Sequence, residues 1–74
     1  MLPPIEDQRW NKLLYGEIKH EFRSMSAGLM FTRLRRQLEN DSSTAAFLQC
    51  RQEAYAFFQK YEKILADDIA AIFH

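Results

Sequence analysis

The feature that most constrains this chain is an apolar stripe near its C-terminal end that keeps helical phase for about 26 residues. Its members recur at steps of three and four, and at roughly 100° per residue they fall within about 140° of arc. The stripe predicts one long helix over about 43–73, preceded by a polar turn that supplies the N-cap. The predicted core positions, with two small members, are Phe47, Cys50, Ala54, Phe57, Phe58, Tyr61, Ile64, Leu65, Ile69 and Ile72.

The first half of the chain carries two shorter apolar stripes that differ in phase by about half a turn. This difference predicts a first arm that is kinked or broken, with segments over about 5–24 and 26–39. Ser24 or Ser26 could cap a new helix, and Gly28 would weaken a continuous one. The predicted core residues of this half are Trp10, Leu14, Ile18, Phe22, Phe31, Leu34 and Leu38.

These elements predict an all-α fold, a helical hairpin within a single domain over 1–74. A lone two-helix hairpin cannot enclose a core, so we expect two copies to pair as a homodimeric helical bundle of coiled-coil character. A compact three-helix monomer is the alternative. Pairing is also favoured by a second apolar set on the long helix, which consists of Leu48, Tyr55, Ala66 and Phe73.

The charge balance disfavours one class of function. Ten basic and ten acidic side chains give a formal net charge of zero, whereas proteins that bind nucleic acid usually carry a basic excess. A nucleic-acid-binding regulator that uses Arg33, Arg35 and Arg36 is therefore the third hypothesis.

No apolar run approaches the roughly 18–20 residues needed to span a bilayer, and the first residues do not resemble a signal peptide. We predict a cytoplasmic protein without a membrane span.

The segment His20-Glu21-Phe22-Arg23-Ser24 resembles the phosphoacceptor H-box of sensor histidine kinases. That box commonly reads His-Glu-Leu/Phe-Arg-Thr/Ser-Pro and lies on the first helix of a dimerising hairpin. The resemblance implies that His20 accepts the phosphoryl group, with Glu21 and Arg23 as supporting charges. The position of His20 away from the apolar stripe predicts an imidazole that faces solvent. A histidine phosphotransfer or kinase-interacting module is the second hypothesis.

Asp68 lies on the main stripe near the end of the long helix, where the helix dipole disfavours a carboxylate. We expect Arg9 or Lys12 to pair with it.

The sequence contains no nucleophile–base pair, phosphate-binding loop or metal-ligand cluster with the residue spacing that such a site requires. We therefore predict no enzymatic activity, no cofactor and no metal.

The leading hypothesis is a small non-enzymatic protein–protein interaction module, namely a homodimeric adaptor, chaperone-like factor or regulator. Its partners would be a second copy and a larger protein. The predicted interaction surface consists of Arg33, Arg35, Arg36, Tyr55 and Phe73.

Overall fold

A computed structural model describes residues 6–73. Within this range the chain forms four helices and no strand, so the all-α prediction is confirmed. None of these helices is long and apolar enough to cross a membrane. The helices are α1 (Arg9–Leu14), α2 (Met25–Asn40), α3 (Thr44–Lys60) and α4 (Glu62–Phe73).

The breaks on either side of α2 lie where the sequence predicts them. Ser24 is the N-cap of α2, and its hydroxyl accepts a hydrogen bond from the Ala27 amide at 3.5 Å. Ser43 caps α3 in the same way, accepting from the Ala46 amide at 3.2 Å. Both serines have the extended backbone that is usual at an N-cap. Each hydroxyl satisfies a backbone amide that the first helical turn leaves without a partner.

The first arm is less helical than the sequence predicts. Helix α1 ends at Leu14, and Gly16 takes a positive φ of 79°, which an L side chain rarely adopts. The Glu17 and Ile18 amides turn back to the Lys12 carbonyl at 2.7 and 3.0 Å, which closes the end of the helix. The predicted helix over 5–24 is therefore wrong for residues 6–8, which precede α1, and for residues 15–24, here named the clasp loop. Residue 5 lies outside the described residues.

The predicted uninterrupted helix over 43–73 is wrong at one residue. Helix α3 ends at Lys60, Tyr61 has φ −113° and ψ 28°, and α4 begins at Glu62. Helical hydrogen bonds continue on both sides of this residue. The Tyr61 amide donates to the Phe57 carbonyl at 3.0 Å, and the Tyr61 carbonyl accepts from the Leu65 amide at 3.0 Å. We call this residue the Tyr61 hinge.

Because of this hinge, α4 folds back onto α1 and the clasp loop. The molecule measures 31 × 23 × 21 Å with a radius of gyration of 11.3 Å, much shorter than the roughly 45 Å of an uninterrupted helix over 43–73. Trp10 on α1 contacts Phe58 on α3 and Phe73 on α4, with ring centroids 5.6 and 4.8 Å apart. A single copy therefore encloses its own core with four helices, which neither predicted arrangement anticipated.

Most of the predicted core is buried. The confirmed positions are Trp10, Leu14, Phe31, Leu34, Leu38, Phe47, Phe58, Leu65, Ile69 and Ile72, with Cys50 and Ala54 from the same stripe.

Several predicted core positions are wrong. Ile64 is 72% exposed and Tyr61 36% exposed, because the hinge turns the face of α4 relative to that of α3. Ile18 is only partly buried. Phe22 and Phe57 are partly buried but pack against the core, so their assignment is correct in part. Two residues that the sequence did not assign to the core, Leu13 and Phe73, are buried in it.

Candidate protein-interaction surface

Three of the exposed apolar side chains, Leu29, Tyr61 and Ile64, line a groove between α2 and α3 or the hollow beside it. The groove has a volume of about 630 Å³, and Leu29, Met30, Phe57 and Tyr61 are among the residues that line it. A smaller hollow of about 160 Å³ continues from it and shares Phe57 and Tyr61 with it, adding Ile64. We name Leu29, Phe57, Tyr61 and Ile64 the groove strip.

Local helix geometry explains why these side chains are next to one another. Met25 is one turn before Leu29, so both project from the same face of α2, and they are 80% and 65% exposed. Phe57 and Tyr61 are one turn apart at the end of α3, with ring centroids 4.8 Å apart. The Tyr61 hinge then carries Ile64 past the end of α3. The result is an apolar ridge on α2 beside an apolar hollow.

Charges of both signs border the groove. Arg33 and Glu53 form an ion pair across it at 3.7 Å, with both side chains about half exposed. The Lys60 ammonium lies 5.3 Å from the centroid of the Tyr61 ring. The Arg33–Glu53 ion pair contributes little to stability, because both side chains are in contact with water. It can instead orient a partner that carries complementary charges.

The five residues of the interaction surface predicted from the sequence have different roles in the structure. Arg35 is a structural residue, since its guanidinium donates to the Leu13 carbonyl at 2.9 and 3.1 Å and to the Ile18 carbonyl at 3.3 Å. Phe73 is also structural, because it is 9% exposed and packs on Trp10. The assignment of these two residues to an interaction surface is wrong.

The other three members of that predicted surface do not form one patch. Arg33 borders the groove with Glu53, Arg36 is exposed, and Tyr55 is half-buried against the core. Since Arg35 is committed to backbone carbonyls, the arginines of this segment do not present a common basic surface. This arrangement disfavours the nucleic-acid hypothesis.

His20 does not face solvent as predicted. Its Nε2 lies 3.1 Å from Asp68 Oδ1, its side chain is 16% exposed, and its ring meets Phe22 edge to face at 4.9 Å. It lies in the clasp loop, whereas the H-box places its histidine on a helix. The phosphoacceptor role of His20 with Glu21 and Arg23 stays a prediction, and this geometry counts against it.

Asp68 is buried and has partners other than those predicted. Besides His20, it accepts hydrogen bonds from the Arg23 backbone amide at 3.2 and 3.3 Å. The Arg23 guanidinium binds the neighbouring Asp67 at 2.9 Å. Arg9 instead binds Asp7 and the Phe73 carbonyl, and it thereby lowers the pKa of the Asp7 carboxyl. The predicted pairing of Asp68 with Arg9 or Lys12 is wrong, and the clasp loop holds α4 through Asp68.

Cys50 is a buried thiol between α2 and α3. Burial raises its pKa, and its Sγ lies 3.4 Å from the Gln37 side-chain oxygen and 3.9 Å from the Leu34 carbonyl. Its environment keeps the thiol protonated, which suits a packing role. Over residues 6–73 no three His, Cys, Asp or Glu side chains are placed to hold a metal ion.

Comparisons of this chain with protein-family models, with characterised proteins and with solved structures give no match. The interpretation of the groove strip therefore depends on its own chemistry.

Proposed function

We propose that this protein is a non-enzymatic protein–protein interaction module that self-associates, and that the groove strip is its contact surface. The observation that carries the proposal is the exposure of large apolar side chains beside an apolar hollow. Leu29 and Ile64 are 65% and 72% exposed, and they line two adjoining hollows that share Phe57 and Tyr61. In a small soluble protein, contiguous exposed apolar surface of this kind marks a site of protein contact. Such a module acts as an adaptor, a chaperone-like factor or a regulator.

The shape of the surface suits a second copy. A two-fold symmetric contact requires a patch that is complementary to itself. Leu29 projects at the wall of the groove that Phe57 and Tyr61 also line, so one patch contains both a projecting and a receiving part. Arg33 and Glu53 likewise supply both signs of charge at the same rim. The formal net charge of zero imposes no general repulsion between copies.

Two matched substitutions test this surface. Leu29 on the groove strip and Leu48 on α3 outside the groove are both exposed, at 65% and 41%. Leu29→Asp and Leu48→Asp introduce the same charge in place of the same side chain. Sedimentation equilibrium from micromolar to millimolar concentration should give about twice the chain mass for the wild type and for Leu48→Asp. Leu29→Asp should stay monomeric, because its carboxylate would be desolvated in the contact.

Circular dichroism of each variant provides the control, since both should retain the helical signal of the wild type. A wild-type chain that stays monomeric up to millimolar concentration would contradict self-association. Loss of the dimer in Leu48→Asp alone would move the contact to the outer face of α3, where Leu48 and Tyr55 lie.

A further inference from the structure

We propose that the second copy is bound by exchange of α4. This inference deepens the proposed function and rests on self-association. In the exchanged dimer the Tyr61 hinge straightens, α3 and α4 become one helix, and each α4 packs against α1 and the clasp loop of the other copy. Exchange of an identical element is a common route from a compact monomer to a dimer.

The hinge can straighten by a change confined to the backbone of one residue. The junction is the single residue Tyr61, and helical hydrogen bonds continue on both sides of it. To reach helical values, its φ of −113° and ψ of 28° must change by roughly 50° and 70°. The stretch from Gln59 to Lys63 contains no glycine or proline. The apolar periodicity over 47–72 is that of an uninterrupted helix. The sequence of this region therefore suits the straight form, and the bend depends on tertiary contacts of α4.

The exposed residues around the hinge would become buried by the exchange. Phe57, Tyr61 and Ile64 are separated by four and three residues, so they lie on one face of a straight helix. In the folded-back chain Tyr61 is 36% and Ile64 72% exposed. Two straight helices that cross at the hinge would bring these faces together around a two-fold axis. The positions that fail as core residues in one copy then form a core between two copies.

The contacts that hold α4 can be supplied equally well by the other copy. They join α4 to residues more than 40 positions away in the chain. The Arg23 guanidinium binds Asp67 at 2.9 Å, His20 Nε2 lies 3.1 Å from Asp68, and Trp10 packs on Phe73 with centroids 4.8 Å apart. Since exchange keeps all of them, the balance between monomer and dimer depends on the hinge and on the new contact beside it.

A cross-link between Arg23 and Asp67 tests the topology. Both side chains are about three-quarters exposed and lie in contact with each other. Arg23→Cys and Asp67→Cys would be combined in a Cys50→Ser background, and monomer and dimer fractions treated with a short bis-maleimide. The dimer fraction should run as a covalent dimer on a denaturing gel, and the monomer fraction as a covalent monomer. Each single-cysteine variant controls for random collisions and should give no covalent dimer.

The outcomes separate this inference from the proposed function. Cross-links that stay within single chains in the dimer fraction would overturn the exchange and leave self-association by the groove strip intact. Absence of a dimer fraction in the wild type would overturn both.

A matched pair of hinge variants gives a second test. Tyr61→Ala and Tyr61→Gly remove the same ring, but alanine favours a continuous helix and glycine disfavours it. Because both hinges straighten in one dimer, the alanine variant should dimerise more tightly than the glycine variant, with a dissociation constant lower on the order of tenfold. Equal dissociation constants would show that Tyr61 keeps its bend in the dimer, which would overturn the exchange.

Discussion

At the scale of single residues, the most consequential side chain is a buried carboxylate. Asp68 is 3% exposed and accepts hydrogen bonds from His20 and from the Arg23 backbone amide. Asp67 beside it is 75% exposed and pairs with the Arg23 guanidinium. These adjacent aspartates are chemically identical, and burial alone separates their roles. The periodicity of the stripe correctly predicted that Asp68 faces the core, but the predicted partners, Arg9 or Lys12, were wrong.

Asp68→Ala should therefore lower the free energy of unfolding by about 1–3 kcal/mol, because it leaves the part-buried Arg23 amide and the His20 imidazole without their common partner. Asp67→Ala should change it by less than about 1 kcal/mol, as expected for an exposed ion pair. Urea denaturation followed by circular dichroism measures both. Equal losses in the two variants would mean that the clasp loop does not hold α4 through Asp68.

Two adjacent phenylalanines provide a similar comparison. The sequence pattern assigned both Phe57 and Phe58 to the core, whereas only Phe58 is fully buried and Phe57 lines the groove. Phe58→Ala should cost about 3–5 kcal/mol of unfolding free energy, and Phe57→Ala about 1–2 kcal/mol because part of its ring stays in water. Urea denaturation at low protein concentration, where the chain is monomeric, gives both values. A larger loss for Phe57→Ala would contradict the placement of the two rings.

At the scale of elements, the start of α3 was predicted, whereas the end of α1 and the bend at Tyr61 were not. Gly16, two residues after Leu14, is the common signal for a helix end, and its positive φ shows that it acts as one. Ser43 is a standard N-cap residue and caps α3. The bend at Tyr61 has no such local signal. It arises from contacts that lie far away in sequence, such as those between Trp10 and Phe73.

The cap of α3 gives the third prediction. Ser43→Ala removes the acceptor of the Ala46 amide and should cost about 0.5–2 kcal/mol of unfolding free energy. Ser42→Ala, one residue earlier in the same exposed turn, should change stability by less than about 0.5 kcal/mol. The difference in urea midpoint between these two variants is the measurement. A Ser42→Ala loss as large as that of Ser43→Ala would place the cap one residue earlier.

The fourth prediction concerns how α1 is tied to α2. Arg35 on α2 donates to the Leu13 carbonyl of α1 and to the Ile18 carbonyl of the clasp loop, so it binds both segments to α2. Arg35→Ala should cost about 1.5–3 kcal/mol, the range for hydrogen bonds that involve a charged group. Arg36→Ala, at the next and exposed position, should be close to neutral. Thermal unfolding of the two variants tests this. Equal melting temperatures would contradict a structural role for Arg35.

The groove strip shows why the interaction surface was not predictable at this scale. Leu29 and Ile64 are ordinary apolar residues of helical segments, and periodicity can only assign such residues to a face. Which face meets another element of the same chain depends on the direction in which α4 leaves α3, and that direction changes at Tyr61. Tyr55 and Phe73 were assigned to a surface for the same reason, and the fold places Phe73 in the core.

At the scale of the whole molecule, one aromatic cluster connects the helices. Trp10 is fully buried on α1 and contacts Phe58 of α3 and Phe73 of α4. Phe31 of α2 completes the cluster, with its ring centroid 5.6 Å from that of Phe58. Release of any one helix would therefore expose the rings of the others. Trp10 is the single tryptophan of the chain, so its fluorescence reports on this cluster alone.

The fifth prediction follows from this connection. In monomeric protein, the urea transition of Trp10 fluorescence should coincide with that of the far-ultraviolet circular dichroism signal, as in a two-state domain. Phe73→Ala should shift both midpoints together, since it removes a ring that packs on Trp10. A fluorescence change that precedes the loss of helix would instead contradict a two-state transition, because it would show that the rings around Trp10 separate while the helices remain folded.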